Sequence, residues 1–328
     1  MKHSNVIQVN NLVKKFNGFE AVKGVSFDVK EGETFGFLGP NGAGKTTTIN
    51  MLVTIVRPTS GSATLNGYDV SSNPSQVRQS IGIVFQDPSL DERLTAMDNL
   101  QFHGLIYNVD KETRNKNIAG MLEMMKLTER KNDIVRTFSG GMKRRLEIAR
   151  GLIHEPKVLF LDEPTLGLDP QTRNYIWTYI KQLKERTGLT IFLTTHYMDE
   201  AENCDRIAII DNGEIIALDT PENLKKMVGE NIITLKTDNN EEAAVEIKKR
   251  FSLESQLKND ELRLEVKDGE KFVPRLIKDT SVTINFISLW KPTLDDVFLK
   301  LTGRAIREQG AGAVDQMRQH AAMWRKHR

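Results

Sequence analysis

Residues 34–48 read TFGFLGPNGAGKTTT, and the order of side chains there decides what kind of fold can surround them. Phe35, Phe37 and Leu38 make a short apolar run that suits a strand buried on both faces. Gly39-Pro40-Asn41-Gly42-Ala43-Gly44-Lys45-Thr46 then fits the P-loop spacing of two glycines, a lysine and a hydroxyl residue, placed between a strand and a helix. Successive backbone N–H groups can surround a triphosphate only where no side chain blocks the approach, which Gly42 and Gly44 secure. The N-terminus of the helix opened by Lys45, Thr46 and Thr47 adds a partial positive charge. Lys45 suits the β and γ phosphates, and the Thr46 hydroxyl suits a bound Mg²⁺. ATP with Mg²⁺ is the ligand this stretch implies.

The flanking sequence supports an α/β fold. VSFDV alternates as a half-buried strand at Val25, Phe27 and Val29, and TTTINMLVTIV has helical length, ending before Pro58. Asn66-Gly67 and Asn212-Gly213 mark hairpins. Residues 81–85 form another apolar strand, and residues 95–127 show helical spacing at Met97, Leu100, Leu105, Ile118, Met121, Leu122 and Met125. VLFLDEPT and TIFLTTH are apolar runs separated by the helical NYIWTYIKQLKE, the pattern of parallel strands joined by a crossover helix.

KVLFLDEPT, residues 157–165, supplies the partner of the phosphate loop. A carboxylate at the C-terminal end of a buried parallel strand lies beside the crevice where such sheets bind ligands. Asp162 suits the metal, and Glu163 suits the orientation or deprotonation of an attacking water. A second glycine-rich helix start follows the first by about a hundred residues: FSGGMKRRLEIARG, residues 138–151. Leu146, Ala149, Leu152 and Ile153 give that helix a face to bury, and Arg144 and Arg145 lie off it.

With these motifs in this order, residues 5–220 resemble the ATP-binding cassette (ABC) family. The resemblance implies a P-loop nucleotide-binding domain with a parallel-sheet core, an antiparallel β subdomain and a helical subdomain. It also explains the two phosphate cradles. In that family two domains meet head to tail, and each ATP lies between the P-loop of one and the Ser-Gly-Gly turn of the other. Ser139, Gly140 and Gly141 would form that turn here, and Asp169 of Gly167-Leu168-Asp169 would cross the interface. Gln86 corresponds to the glutamine that touches the metal, His196 to the switch histidine near the γ-phosphate, and Phe16 to the aromatic that stacks on adenine. The chain departs from the family's LSGGQ pattern at Phe138 and Met142, and a thioether cannot make an amide's hydrogen bonds.

After Pro221 the character changes to alternating strand and helix, a small α+β domain. The expected division is residues 1–220 for the ATPase domain, 221–303 for the accessory domain and 304–328 for a basic, solvated tail. PTLDDVFLKLTG, residues 292–303, patterns as a capped helix with Thr293 at its start and Leu294, Val297, Phe298 and Leu301 on its buried face. The same stretch is similar to the ending of daunorubicin-resistance exporter ATPases. That likeness implies efflux of drug-like, lipid or other amphipathic molecules, with an importer ATPase or a soluble ABC ATPase as alternatives.

Composition narrows the setting. No apolar run approaches the roughly 18 residues of a bilayer crossing, and the first residues lack the apolar core of a secretory signal. A cytoplasmic protein held at the inner face of the membrane by separate permease subunits is expected, paired with a second ATPase subunit. A net charge of +2 gives no nucleic-acid signal. Cys204 is the one cysteine, so an internal disulfide is excluded.

Overall fold

From the N-terminus, β1 (Asn5–Phe16) and β2 (Phe19–Lys30) form a hairpin, followed by β3 (Thr34–Leu38) and α1 (Lys45–Leu52). β4 (Ser60–Leu65) and β5 (Tyr68–Asp69) lead through α2 (Pro74–Ser80) to β6 (Ile81–Val84). Helices α3 (Ala96–Ile106), α4 (Lys111–Met124) and α5 (Gly140–Leu152) come next, then β7 (Val158–Asp162), α6 (Pro170–Thr187) and β8 (Thr190–Thr195). α7 (Met198–Ala201), β9 (Arg206–Asp211) and β10 (Glu214–Asp219) complete this part of the chain. These positions come from a computed structural model that describes residues 4–258 and 261–303. The chain divides into two units, one running to Asp219 and the next beginning at Thr220.

The first unit is built on a six-stranded sheet in the order β10-β9-β3-β8-β7-β6. Every residue of β3, β7 and β8 is buried, as parallel strands covered on both faces require. Only β10 runs antiparallel, because the Asn212-Gly213 turn, with φ of 49° and 83°, reverses the chain within two residues. A second, antiparallel sheet has the order β2-β1-β4-β5. Phe27 on β2 stacks on Phe35 at 5.4 Å and reaches Phe192 at 5.9 Å, so aromatic packing joins the two sheets.

Register then gathers the loops that matter. Leu38 pairs with Thr195, Asp162 with Thr194 and Val84 with Leu161, so β3, β6, β7 and β8 all end along one edge. The segments carrying Lys45, Gln86, Glu163 and His196 leave from that edge, the crevice that open α/β sheets offer to ligands.

Two helical expectations are corrected. α1 stops at Leu52, well before Pro58, because Thr54 adopts φ of 68° and the N–H groups of Ile55 and Val56 both turn back to the Asn50 carbonyl. The stretch 95–127 is two helices. Asn108 takes φ of 54°, and the Asp110 carboxylate accepts from the N–H groups of Glu112 and Thr113 to start α4. Leu105, one of the residues at that helical spacing, lies in α3 and is 56% exposed.

The second unit contains α8 (Pro221–Lys226), β11 (Asn231–Thr237), α9 (Asn240–Phe251), β12 (Ser255–Lys258), β13 (Glu261–Val266), α10 (Gly269–Asp279), β14 (Ile284–Trp290) and α11 (Leu294–Thr302). Its antiparallel sheet, ordered β12-β13-β11-β14, gives the βαββαβ arrangement of the split βαβ fold. Ile233, Leu235, Leu262, Leu264 and Val266 alternate inward onto Ala243, Ile247 and Leu276. β12 has only four residues, too few for a hydrophobic alternation to mark it as a strand. Thr293 and Asp296 form a reciprocal capping box at the start of α11, burying Leu294, Val297 and Phe298. The expected tail, 304–328, lies outside the described residues.

Candidate nucleotide-hydrolysing site

Gly44 sets the geometry of the loop between β3 and α1. Its φ of 105° is left-handed, and a Cβ there would stand 2.6 Å from the Ala21 carbonyl oxygen, so only glycine fits. Lys45 follows as the first residue of α1 and is 4% exposed. Its ammonium donates to the carbonyls of Gly39 at 2.8 Å and Pro40 at 3.1 Å, and lies 3.2 Å from Glu163 Oε1. Burial holds its pKa below the usual lysine value, even against the pull of Glu163 and Asp162. The Ala43 N–H donates to Pro40 O, closing the loop.

Across the crevice, Asp162 Oδ1 accepts from Thr194 Oγ1 at 2.5 Å and from Thr46 Oγ1 at 3.4 Å. Burial raises the Asp162 carboxyl above its ordinary range, and the two hydroxyls oppose that rise. Glu163 adopts φ of 47°, a sparsely populated conformation for a residue with a side chain. Its N–H is held by both the hydroxyl and the carbonyl of Thr194. Burial pushes the Glu163 carboxyl up, but His196 and Lys45 together outweigh it and leave the pKa lowered. His196 Nδ1 lies 3.2 Å from Glu163 Oε2, a close contact without the alignment of a hydrogen bond.

Lys45, Thr46 and Glu163 border a recess of about 430 Å³, lined also by Phe16, Phe19, Ala21, Asn41, Gly42, Gly44, Thr47 and Gln86, whereas Asp162, Thr194 and His196 are not among its lining residues. Phe16 and Phe19 pair in register across the β1–β2 turn. A larger cavity of about 520 Å³ lies at the opposite ends of the strands, beside Val6, Lys157 and Leu189, and borders none of the candidate site residues.

Ser139, Gly140, Gly141 and Asp169 are not among the residues lining the recess beside Lys45. Ser139 caps α5 by accepting from the Met142 N–H at 3.3 Å. Asp169 caps α6 by accepting from the Thr172 N–H and hydroxyl at 3.0 and 2.6 Å. A Cβ on Gly141 would come within 2.5 Å of Thr172 Cγ2, so the two helix starts abut within one chain.

Three residues at the site had no sequence reading as site residues. Thr194 was visible only as part of an apolar strand, and its role follows from pairing with Asp162. Phe19 lines the recess beside Phe16, a position that nothing in its local sequence marks. Arg144 is a correction: placed off the buried face of its helix, it is 7% exposed and donates to the carbonyls of Asp162, Glu163 and Pro164.

Residues 22–166 match the ABC transporter family model, and residues 220–302 match that of the ATP-binding protein DrrA1-3-like C-terminal domain. The linearmycin resistance ATP-binding protein LnrL of Bacillus subtilis is 43% identical over 312 residues, 92% of this chain and 100% of that one. The chain belongs to the ABC transporter family. The daunorubicin/doxorubicin resistance ATP-binding protein DrrA of Streptomyces peucetius is 38% identical, covering 92% and 93% of the two chains. Among solved structures, the ATP-binding subunit of an ABC transporter superposes with a TM-score of 0.62 at 28% identity, over 68% of this chain and 92% of that one. The dimeric post-hydrolysis state of the ATP-binding cassette MJ0796 bound to ADP and Pi gives 0.59 at 30% identity, over 65% and 98%. As an ABC cassette of this type, the chain is an ATP hydrolase of the ABC transporter family.

Proposed function

We propose that two ATPase subunits close around MgATP, each offering its P-loop recess to the Ser139-Gly140-Gly141 turn and Asp169 of the other. The closure drives efflux of drug-like, lipid or other amphipathic molecules through separate permease subunits. The observation that supports the shared site is the one-sidedness of the recess. It is lined by the P-loop, Gln86 and Glu163, while the second phosphate cradle of the same chain lies outside it. The cassette bound to ADP and Pi, similar in fold, is itself dimeric.

Each residue has a role that its surroundings support. Lys45 and the Gly39–Thr47 loop hold the phosphates, and Phe16 stacks on the base. Glu163, its pKa lowered, is ionised at neutral pH and accepts the proton of the attacking water, while His196 beside it steadies the γ-phosphate. The Thr46 hydroxyl, the Asp162 carboxylate and the Gln86 amide are hard oxygen donors beside a phosphate loop, a set that fits Mg²⁺. When bound, the ion neutralises charge on the β and γ phosphates.

No helix among the described residues is long and apolar enough to cross a membrane, in keeping with a subunit placed at the cytoplasmic face by its permease. The resistance named for the relatives supports an amphipathic cargo. The test is assembly. With hydrolysis blocked by Glu163→Gln, MgATP should convert monomers to dimers in sedimentation, and Ser139→Arg should prevent it. A chain that stays monomeric at millimolar MgATP contradicts the shared site.

A further inference from the structure

α5 does more than present the Ser139 turn. Arg144, Glu147 and Arg150 recur every third residue along it, and all three reach outward to loops of the site just described. Arg144 uses all five of its N–H donors. Nε donates to Pro164 O, Nη1 to Phe85 O at 2.6 Å and Glu147 Oε2 at 3.0 Å, and Nη2 to Glu163 O at 3.0 Å and Asp162 O at 3.4 Å. Glu147, 1% exposed, accepts from the Ser89 N–H at 2.8 Å through its other oxygen. Arg150 Nη1 then donates to Ser89 O at 2.6 Å. Gln86 is thereby bracketed, by the carbonyl before it and by the backbone of Ser89 three residues after it.

We infer that Arg144 and Glu147 are positioning residues that hold the Gln86 segment and the Glu163 loop to one helix, so that these two groups keep a common register for hydrolysis. The inference rests on the roles proposed above for Gln86 and Glu163. Neither side chain touches nucleotide-binding residues of the P-loop. The acceptors of Arg144 at 85 and 162–164 are backbone carbonyls where strands give way to loops, and the stiffness of those loops depends on donors supplied from elsewhere. A buried ion pair is by itself weak support for stability, since apolar replacements of similar size are often neutral. What such replacements cannot do is bridge Phe85 to Pro164. The geometry therefore assigns the pair to the alignment of the two loops.

Two variants test this, with kcat and KM for MgATP measured beside thermal unfolding. Arg144→Lys keeps a charge for Glu147, but three donors on a compact ammonium cannot span the same acceptors. It should lower kcat at least tenfold while KM stays within twofold. The double variant Arg144→Met/Glu147→Met removes both charges together. It should fold and remain as slow as Arg144→Lys, because the loop bonds are not remade. A kcat within threefold of wild type in either folded variant overturns the inference. So does failure of both to fold, which would make the pair part of the core and nothing more. Glu163→Gln, assayed alongside, separates the two levels. Full activity in Glu163→Gln would remove the assignment of Glu163, whereas an inert Glu163→Gln beside a fully active Arg144→Lys removes only the role of the pair.

Discussion

Replacing Glu163 with glutamine tests the chemistry and the electrostatics of the recess together. General-base assistance is worth about 10²–10⁴-fold, so turnover should fall by that factor, a barrier increase of about 3–5 kcal/mol. The substitution also removes the carboxylate 3.2 Å from the buried Lys45 ammonium. Lys45 keeps the carbonyls of Gly39 and Pro40 and the nearby Asp162 charge, so the loss is smaller than for a fully orphaned cation, about 1–3 kcal/mol. The nucleotide-free variant should therefore melt several degrees lower, at about 2–4 °C per kcal/mol for a unit of this size. The phosphates of ATP can replace the missing negative charge beside Lys45, and the repulsion between Glu163 and those phosphates is gone. Saturating ATP should accordingly raise the melting temperature more in the variant than in the wild type. Phosphate release and differential scanning fluorimetry read the two effects. Turnover within threefold of wild type would show that Glu163 is not the base. Equal melting of the nucleotide-free proteins would show that the Lys45–Glu163 contact contributes nothing in solution.

Acid stability offers an independent check on the helical part of the first unit. Burial, with Arg150 and His154 nearby, lowers the His103 pKa to about 3, against 6.5 in the unfolded chain. Between those values the unfolded state binds a proton that the folded state refuses, so stability falls as pH drops below 6.5. From pH 6.5 to 5 the loss is about 2 kcal/mol, and His154, also lowered by burial, adds to it in the same direction. His103→Asn should flatten the slope of urea-unfolding free energy against pH by about one proton, and an unchanged slope would refute the burial argument. In the second unit, Thr293→Ala removes the side-chain acceptor of a complete capping box. It should cost about 1 kcal/mol in that unit's unfolding, and its ATPase rate should equal wild type; slowed hydrolysis would mean that α11 does more than pack.

Local chemistry explains what could be read without coordinates. A phosphate loop is contiguous: the left-handed φ of Gly44, the lysine and the hydroxyl lie within a few residues, so the spacing alone carries the geometry. Buried parallel strands such as β7 and β8 announce themselves because every side chain in them is buried. The capping box of α11 is likewise written in neighbouring residues. Breaks in helices were harder. The left-handed turns at Thr54 and Asn108 involve residues with no glycine signal, and periodicity continues across them.

By itself, then, the sequence determined the nucleotide loop, the acidic strand end, the second helix start and the alternation of strand and helix that makes an α/β cassette with an α+β companion. Tertiary structure alone decided the strand order, the meeting of Thr194 with Asp162 and the burial of Arg144. The physical reason is distance along the chain. Hydrophobic periodicity reports which face of a helix prefers to leave water, but a guanidinium goes inside only when acceptors 18 to 59 residues away converge on it, and no local pattern encodes that convergence.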